Sequence, residues 1–232
     1  MLNQYLQRTQ LLLTDMKQEM LNPAFLTMFI NTARGQLAGE TGCVRFIGSL
    51  STVAATQSYA FSAITTAAGI QNVFNVRRIN YTSGSGQKFI SPLPWEWFDF
   101  YYINDISPTS AAPQVWAQFA QGVLGSFYLF PIPNAIYALK LDASCNPSDL
   151  SLDSDAEVIP YPWTDAIPYF AAYLSYMYVQ NVEKASQMLG LYREFVDRAG
   201  KISTPTVVPY QYEQTKTPVS PFVQMVSSKG SG

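Results

Sequence analysis

The 232-residue sequence predicts an α+β protein. The expected architecture is a helical bundle core, built from an N-terminal helical hairpin and a long C-terminal helix or helix pair, with a β-rich middle region and an extended C-terminal arm. Three observations predict it. Apolar residues recur at helical spacing near both ends of the chain, short aromatic and β-branched runs broken by Gly, Ser and Pro fill the middle, and periodicity vanishes after Gly200. The segments so defined are 1–42, 43–158, 159–200 and 201–232, the first and third packing together.

The first helix runs from about Asn3 to Leu21, with Leu2, Leu6, Leu13, Met16 and Met20 on one stripe and Gln4, Arg8, Asp15 and Lys17 free for water. Asn22 is a good N-cap for the second, and Pro23 follows where its missing N–H costs nothing. Phe25 or Leu26, then Phe29, Ile30, Ala33 and Leu37 recur at helical spacing, and Gly39 and Gly42 bracket the exit. Cys43, Val44, Phe46 and Ile47 begin a β-like run. Asn75 to Tyr81 alternates, with Val76 or Phe74, Ile79 and Tyr81 apolar, and Thr82–Gln87 turns it back through Lys88 to Ile90 as a hairpin.

Trp95–Tyr102 is aromatic on both faces of either a helix or a strand, and Ser107–Pro113 is a loop. Val115–Phe119 and Ser126–Phe130 flank a Gly-rich turn as a second hairpin, and Ala135–Leu141 is the last strand. Short strands of this kind suggest a small barrel or sandwich between the helices. Ala143–Val158 is a polar, acidic loop. Thr164 or Asp165 then caps a helix that tolerates Pro168 in its first turn. Ile167, Phe170, Leu174 and Met177 face one way, and the stripe resumes through Val182, Ala185, Leu189, Tyr192, Val196 and Ala199, giving two helices or one bent helix ending at Gly200. The stretch Tyr169–Val179 carries no charge, which requires burial in the core or against another subunit. Beyond Lys201, with prolines at 205, 209, 218 and 221, no periodicity supports a helix and an extended arm is expected. An arm of ~30 residues reaches up to ~100 Å when extended, and Tyr210, Tyr212, Phe222, Val223 and Met225 are its anchors.

Several phrases together resemble the head-to-tail adaptor (head completion) proteins of short-tailed phages. They are Ile30-Asn31-Thr32-Ala33-Arg34, then Glu40-Thr41-Gly42-Cys43-Val44-Arg45, then Pro131-Ile132-Pro133-Asn134-Ala135-Ile136-Tyr137, and Ile159-Pro160-Tyr161-Pro162 before the C-terminal helix. The resemblance covers roughly residues 22–200. It implies a non-enzymatic virion protein whose copies, twelve by analogy, form a ring between the portal protein and the tail nozzle. Genomic double-stranded DNA passes through the lumen of such a ring without sequence-specific binding. The protein would assemble in the host cytoplasm and end at the head–tail junction. On this reading Arg77, Arg78, Tyr210, Tyr212, Phe222 and Met225 are interface candidates.

Composition points to assembly as well. Charged residues are 13% of the chain, against a usual share of about 25%, and aromatics are 14%. Aromatic residues are enriched where proteins meet. Net charge is −2 but segregated: residues 1–90 carry seven basic and three acidic side chains, 91–165 one and nine, and 166–232 six and four. That distribution argues against one dominant basic DNA-binding face and suits docking of one copy on the next.

Chemistry is conspicuous by its gaps. With no histidine, the usual nucleophile triads and most zinc sites are excluded. Cys43 and Cys145 are too few for a disulfide framework or a four-thiolate site, so a reduced compartment is expected. No phosphate loop is present, and Gly84-Ser85-Gly86 is an incomplete dinucleotide fingerprint. Asp153-x-Asp155-x-Glu157 resembles the start of a calcium loop, but Val158 and Thr164 replace the required Gly and Glu. The N-terminus lacks a basic and apolar leader pattern, and no run approaches 18 apolar residues, so neither membrane nor cofactor is expected. The alternatives are a carbohydrate-binding or adhesin module of a phage tail, stacking sugars on Trp95, Trp97, Tyr101 and Trp116, and a glycosidase using Glu96 and Asp99.

Overall fold

Two long strands set the architecture. The computed structural model describes residues 1–14, 21–83, 86–103 and 110–203. In it, β3 (Ile70–Ser83) runs antiparallel to β9 (Ala138–Pro147) along most of both. β9 buries Leu139, Leu141, Ala143 and Cys145, every second residue, as a regular strand does. On β3 the buried residues Val73, Val76 and Ile79 are three apart. Bulges reconcile the two periods. Gln71, Phe74 and Arg77 are each an extra residue at the register shifts Ile70/Asn72, Val73/Asn75 and Val76/Arg78, so three residues of β3 span two of β9. Bulges increase local twist, and the sheet curls into a half-barrel. The N–H of Val76, beside the third bulge, donates to Gln118 Oε1 at 3.0 Å.

Among the described residues the sheet has seven strands. β1 (Arg45–Ser51) pairs with β9 from Arg45↔Ser144 to Ser51↔Ala138. β3 and β4 (Gly86–Pro92) form the expected first hairpin, closing at Ser83↔Gly86. β6 (Val115–Phe119) and β7 (Ser126–Phe130) form the expected second one, to which β2 (Ser58–Ala60) is added. The strand order is β1-β9-β3-β4-β6-β7-β2, and its halves meet in a parallel ladder of two pairs, Ser91↔Val115 and Pro92↔Trp116. A separate parallel pair joins β5 (Ser110–Ala111) and β8 (Ile132–Pro133). β9 begins later than expected and continues to Pro147 through residues expected to be loop. There Asn146 Nδ2 donates to Asn72 Oδ1 across the ladder at 2.9 Å.

The helices are α1 (Leu2–Leu13), α2 (Pro23–Thr41), the short α3 (Trp95–Phe98), α4 (Ile167–Tyr178) and α5 (Val182–Ser203). α2 starts as expected: the Ala24 N–H donates to Asn22 Oδ1 at 2.9 Å, with Pro23 next to the cap. It ends at Gly42, whose φ of 59° is the left-handed geometry glycine adopts without strain. Its buried face is Leu26, Phe29, Ile30, Ala33 and Leu37, with Phe25 turned outward. α1 stops at Leu13, with Thr14 left-handed, and so is shorter than the expected run to Leu21; Met16 and Met20 lie outside the described residues. Its core face is Leu2, Tyr5, Thr9 and Leu13. Among the described residues no helix is long and apolar enough to cross a membrane.

At the other end there are two helices, separated at Gln180 (φ 61°). Asn181 Oδ1 accepts from the Lys184 N–H, and α5 continues past Gly200 to Ser203. Thr164 and Asp165 lie in a 3₁₀ turn rather than at a cap, and Ala166 precedes α4 without a side-chain bond. The buried face of α4 is Ile167, Pro168, Ala171, Ala172, Ser175 and Tyr176, not the large-residue stripe. α4 packs against α1, α2 and α5 at once, and small side chains are what let three helices approach one another closely.

A helical bundle core with a β middle is therefore not the architecture. The class is α+β, but the curled seven-stranded sheet is its body. One continuous cluster of buried side chains runs from Leu2 and Ile30 through Val73, Ile79 and Leu141 to Tyr192. The sequence-based expectation treated the strands as an insertion because their hairpins are local in sequence. The long-range β1–β9–β3 ladder leaves no such local mark.

Gly48 shows how closely β1 is covered: a Cβ there would run into Ile64, beside the bridge Ser49↔Thr65. Gly48→Ala is expected to destabilise the fold by about 1–3 kcal/mol through overpacking, measured as a lower urea midpoint at unchanged slope.

Candidate interaction surfaces

The phrase Ile30–Arg34 builds a junction. Helical spacing places Asn31 and Arg34 on α2 one turn apart, both toward residues 148–159. Leu150 donates its N–H to Asn31 Oδ1 (2.9 Å) and accepts from Asn31 Nδ2 (3.0 Å). Arg34, 1% exposed, meets Glu157, 5% exposed, in a two-pronged pair: Nε to Oε2 at 3.0 Å and Nη2 to Oε1 at 2.9 Å. Arg34 Nη1 also donates to the Ser148 carbonyl, and the Ile159 N–H donates to Glu157 Oε1. Tyr5 Oη completes the set, donating to Glu157 Oε2 at 2.9 Å. One buried ion pair thus ties α1, α2 and the segment leading to α4. Burial, then the charge and hydrogen bond of Glu157, push the Tyr5 phenol above its ordinary range.

The second phrase is structural in the same way. Tyr192 Oη on α5 donates to Glu40 Oε2 at 2.7 Å, and burial followed by that carboxylate raises its phenol strongly. Thr41 Oγ1 accepts from the Cys43 N–H, and Arg45 pairs with Asp142 on β9. Burial, with Asp142 second, pushes the Cys145 thiol up to about 11, and burial also raises the Cys43 thiol. The three carboxylates of the calcium-like stretch point to different partners. Asp153 takes the N-terminal amine at 2.6 Å, Asp155 takes the Ser151 and Leu152 N–H groups, and Glu157 takes Arg34. Among the described residues no group of three or more Cys, Asp or Glu could hold a metal.

What the fold presents outward is apolar and aromatic. α3 continues as a π-helical turn, Asp99–Ile103. Trp95 anchors it between Phe119 and Tyr128 on β6 and β7 (centroids 4.7 and 4.9 Å apart), and Tyr102 stacks on Phe130 at 4.3 Å. Trp97, Phe100 and Tyr101 project instead, 60%, 73% and 54% exposed, with Trp97 stacked on Tyr101 at 5.5 Å. Of the four residues proposed to stack sugars, Trp116 is buried in β6 and Trp95 is packed beneath the turn. A second apolar patch lies on the helical side, where Phe25 stacks on Tyr178 at 5.7 Å beside exposed Met28.

Arg77 and Arg78 are both exposed. Arg77 is the extra residue of a bulge, and Arg78 lies over the Phe89 ring at 5.4 Å. Arg78 lines an open groove of ≈ 610 Å³ on the outer sheet face with Arg45, Ile47, Lys140 and Asp142. Charge in the sequence offered Arg78 as a candidate. Lys140 and Ile47 were missed, because alternation shows that they leave the core but not that they share a face with it. Tyr210, Tyr212, Phe222 and Met225 lie outside the described residues.

Two outcomes follow from the junction. Arg34→Met is expected to cost about 3–5 kcal/mol by stranding the Glu157 carboxylate, while Arg34→Met with Glu157→Met recovers most of that loss; equilibrium denaturation of both variants checks it. Tyr5 and Tyr192 hold folded-state pKa values raised above the unfolded one. The stability they contribute is therefore complete below about pH 10, the free tyrosine value, and is lost as pH rises beyond it. Tyr5→Phe and Tyr192→Phe should each flatten the alkaline limb of the stability–pH curve.

The phrases that build the junction are also those on which the resemblance rested. The family model described as SU10 adaptor protein matches residues 3–215, nearly the whole chain. No curated protein matches the chain. With the polar residues of those phrases committed to internal architecture and its aromatic surface turned outward, the chain belongs to the SU10 adaptor protein family and is a structural adaptor protein of a phage virion.

Proposed function

We propose that copies of this chain form a ring, twelve by analogy, that joins the portal to the tail nozzle at the head–tail junction and is assembled in the host cytoplasm. The observation that carries the proposal is the projecting aromatic turn. Trp97, Phe100 and Tyr101 stand exposed on the sheet, in a chain whose residues 3–215 match an adaptor family. Large rings held out in water are costly, and clustered aromatics are the usual anchors of protein–protein contacts.

The curled sheet serves as the ring wall. The helical side, with Phe25, Met28 and Tyr178, faces the portal. Arg77 and Arg78 meet neighbouring protein, and the segment beyond Ser203 latches a partner through Tyr210, Tyr212, Phe222 and Met225. Genomic DNA passes through the lumen and is not read. A lumen without a strong positive field suits passage, because every phosphate neutralised would slow the moving duplex in a salt-dependent way. The chain performs no bond-making chemistry in this role.

Mixing the purified protein with the portal of the same phage and imaging the product by electron microscopy tests the reading. The expected result is one added ring on the portal. A chain that stays monomeric beside intact portals, or that retains a sugar column through Trp97, overturns it.

A further inference from the structure

We propose that the aromatic turn of one copy seats in the basic groove of the next, so that these two surfaces form the subunit–subunit contact. The inference rests on the ring reading above and adds which faces meet.

The two surfaces are complementary in charge and in kind. The turn, residues 95–103, contains Glu96 and Asp99 and no basic residue, and both carboxylate residues are exposed beside Trp97, Phe100 and Tyr101. The groove is the reverse. Arg45, Arg78 and Lys140 outnumber Asp142, Ile47 (67% exposed) supplies apolar floor between them, and Phe89, outside the lining, carries the Arg78 guanidinium on its ring. Mixed apolar and cationic character fits an acidic, aromatic protein surface. A phosphate backbone would use the cations and leave the exposed Ile47 unmatched.

Geometry assigns the contact to separate copies. The turn packs on β6 and β7, while β1, β9, β3 and β4 line the groove, and none of the groove's lining residues comes from the turn. A contact between two different patches is heterologous, and its repetition closes a ring when the rotation per copy divides a full turn, as the ring reading requires. Three aromatics exposed over half their surface offer about 300 Å², on the basis of 150–250 Å² per aromatic side chain. That is a fraction of the roughly 800 Å² each partner buries in a standard interface. The turn is thus the anchor of the contact, with flanking surface supplying the rest.

The test uses full-length chain assembled on the portal of the same phage. A photo-reactive benzoylphenylalanine replaces Trp97, and isotopically light and heavy copies are mixed so that links between copies are recognised by mass spectrometry. The expected product joins position 97 of one copy to residues 45–51, 78–90 or 138–142 of another. Glu96→Lys and Lys140→Glu should each lower ring yield about tenfold, and the double variant should return it to within about threefold, as for a close interfacial charge pair. Rings of normal yield whose links fall on the portal, on the same copy or on another face overturn this inference and leave the ring reading standing. Absence of any ring from the unmodified chain overturns both. If a 30-base-pair duplex DNA competes away the links, and its binding is lost in Lys140→Glu and not restored by the double variant, the groove is a nucleic-acid surface and the inference fails.

Discussion

The ion pair between Arg34 and Glu157 is the constraint on which the arrangement of this molecule depends. Both side chains are withdrawn from water, and a pair so placed is tolerable only when geometry is good and the remaining donors and acceptors are satisfied. Here the Ser148 carbonyl, the Ile159 N–H and the Tyr5 hydroxyl satisfy them. Each partner comes from a different part of the chain, so the pair fixes where α1, α2 and the approach to α4 stand relative to one another. Hydrophobic burial would tolerate small slips among those elements. A two-pronged charged contact does not.

The sheet then carries what the helices position. α2 packs against β9, and β9 is the regular member of the central pair, carrying Leu139, Leu141, Ala143 and Cys145 into the core at every second position. β3 departs from that period three times, and the departures send Arg77 to the surface out of phase with its neighbours. The aromatic turn is fixed to the far half of the same sheet through Trp95 and Tyr102. The outward surfaces are therefore held at defined places on one framework, as an assembling subunit requires.

Much of the local structure was legible in the sequence, and the reasons are specific. Asn22-Pro23 and Gly42 are strong helix punctuation. Both hairpins were visible because turn residues stand between alternating runs. The interruption between Met177 and Val182 left two helices or one bent helix open, and left-handed Gln180 makes them two. What stayed hidden was non-local or concerned small side chains. The strand was read from Asn75 to Tyr81 but not upstream through Val73, because bulges space its buried residues by three and only the distant partner β9 corrects that spacing. Ala171, Ala172 and Ser175 looked unremarkable beside Phe170 and Leu174, yet crowding by three helices selects the smaller face. Of the candidate surface, Arg78 could be found from charge and Trp97 from aromaticity. Their partners Lys140 and Ile47 required knowing which strands lie side by side.

The narrow seam between β4 and β6 has a mechanical consequence. Two rungs of parallel ladder join a four-strand panel to a three-strand panel, and stiffness against bending falls where rungs are few. The Val76 N–H on β3 reaches across that line to Gln118 Oε1 on β6, so a side chain braces the crease that the rungs leave narrow. The angle between the panels therefore rests on one glutamine as much as on the ladder, and a shorter side chain in place of Gln118 would leave the crease slack.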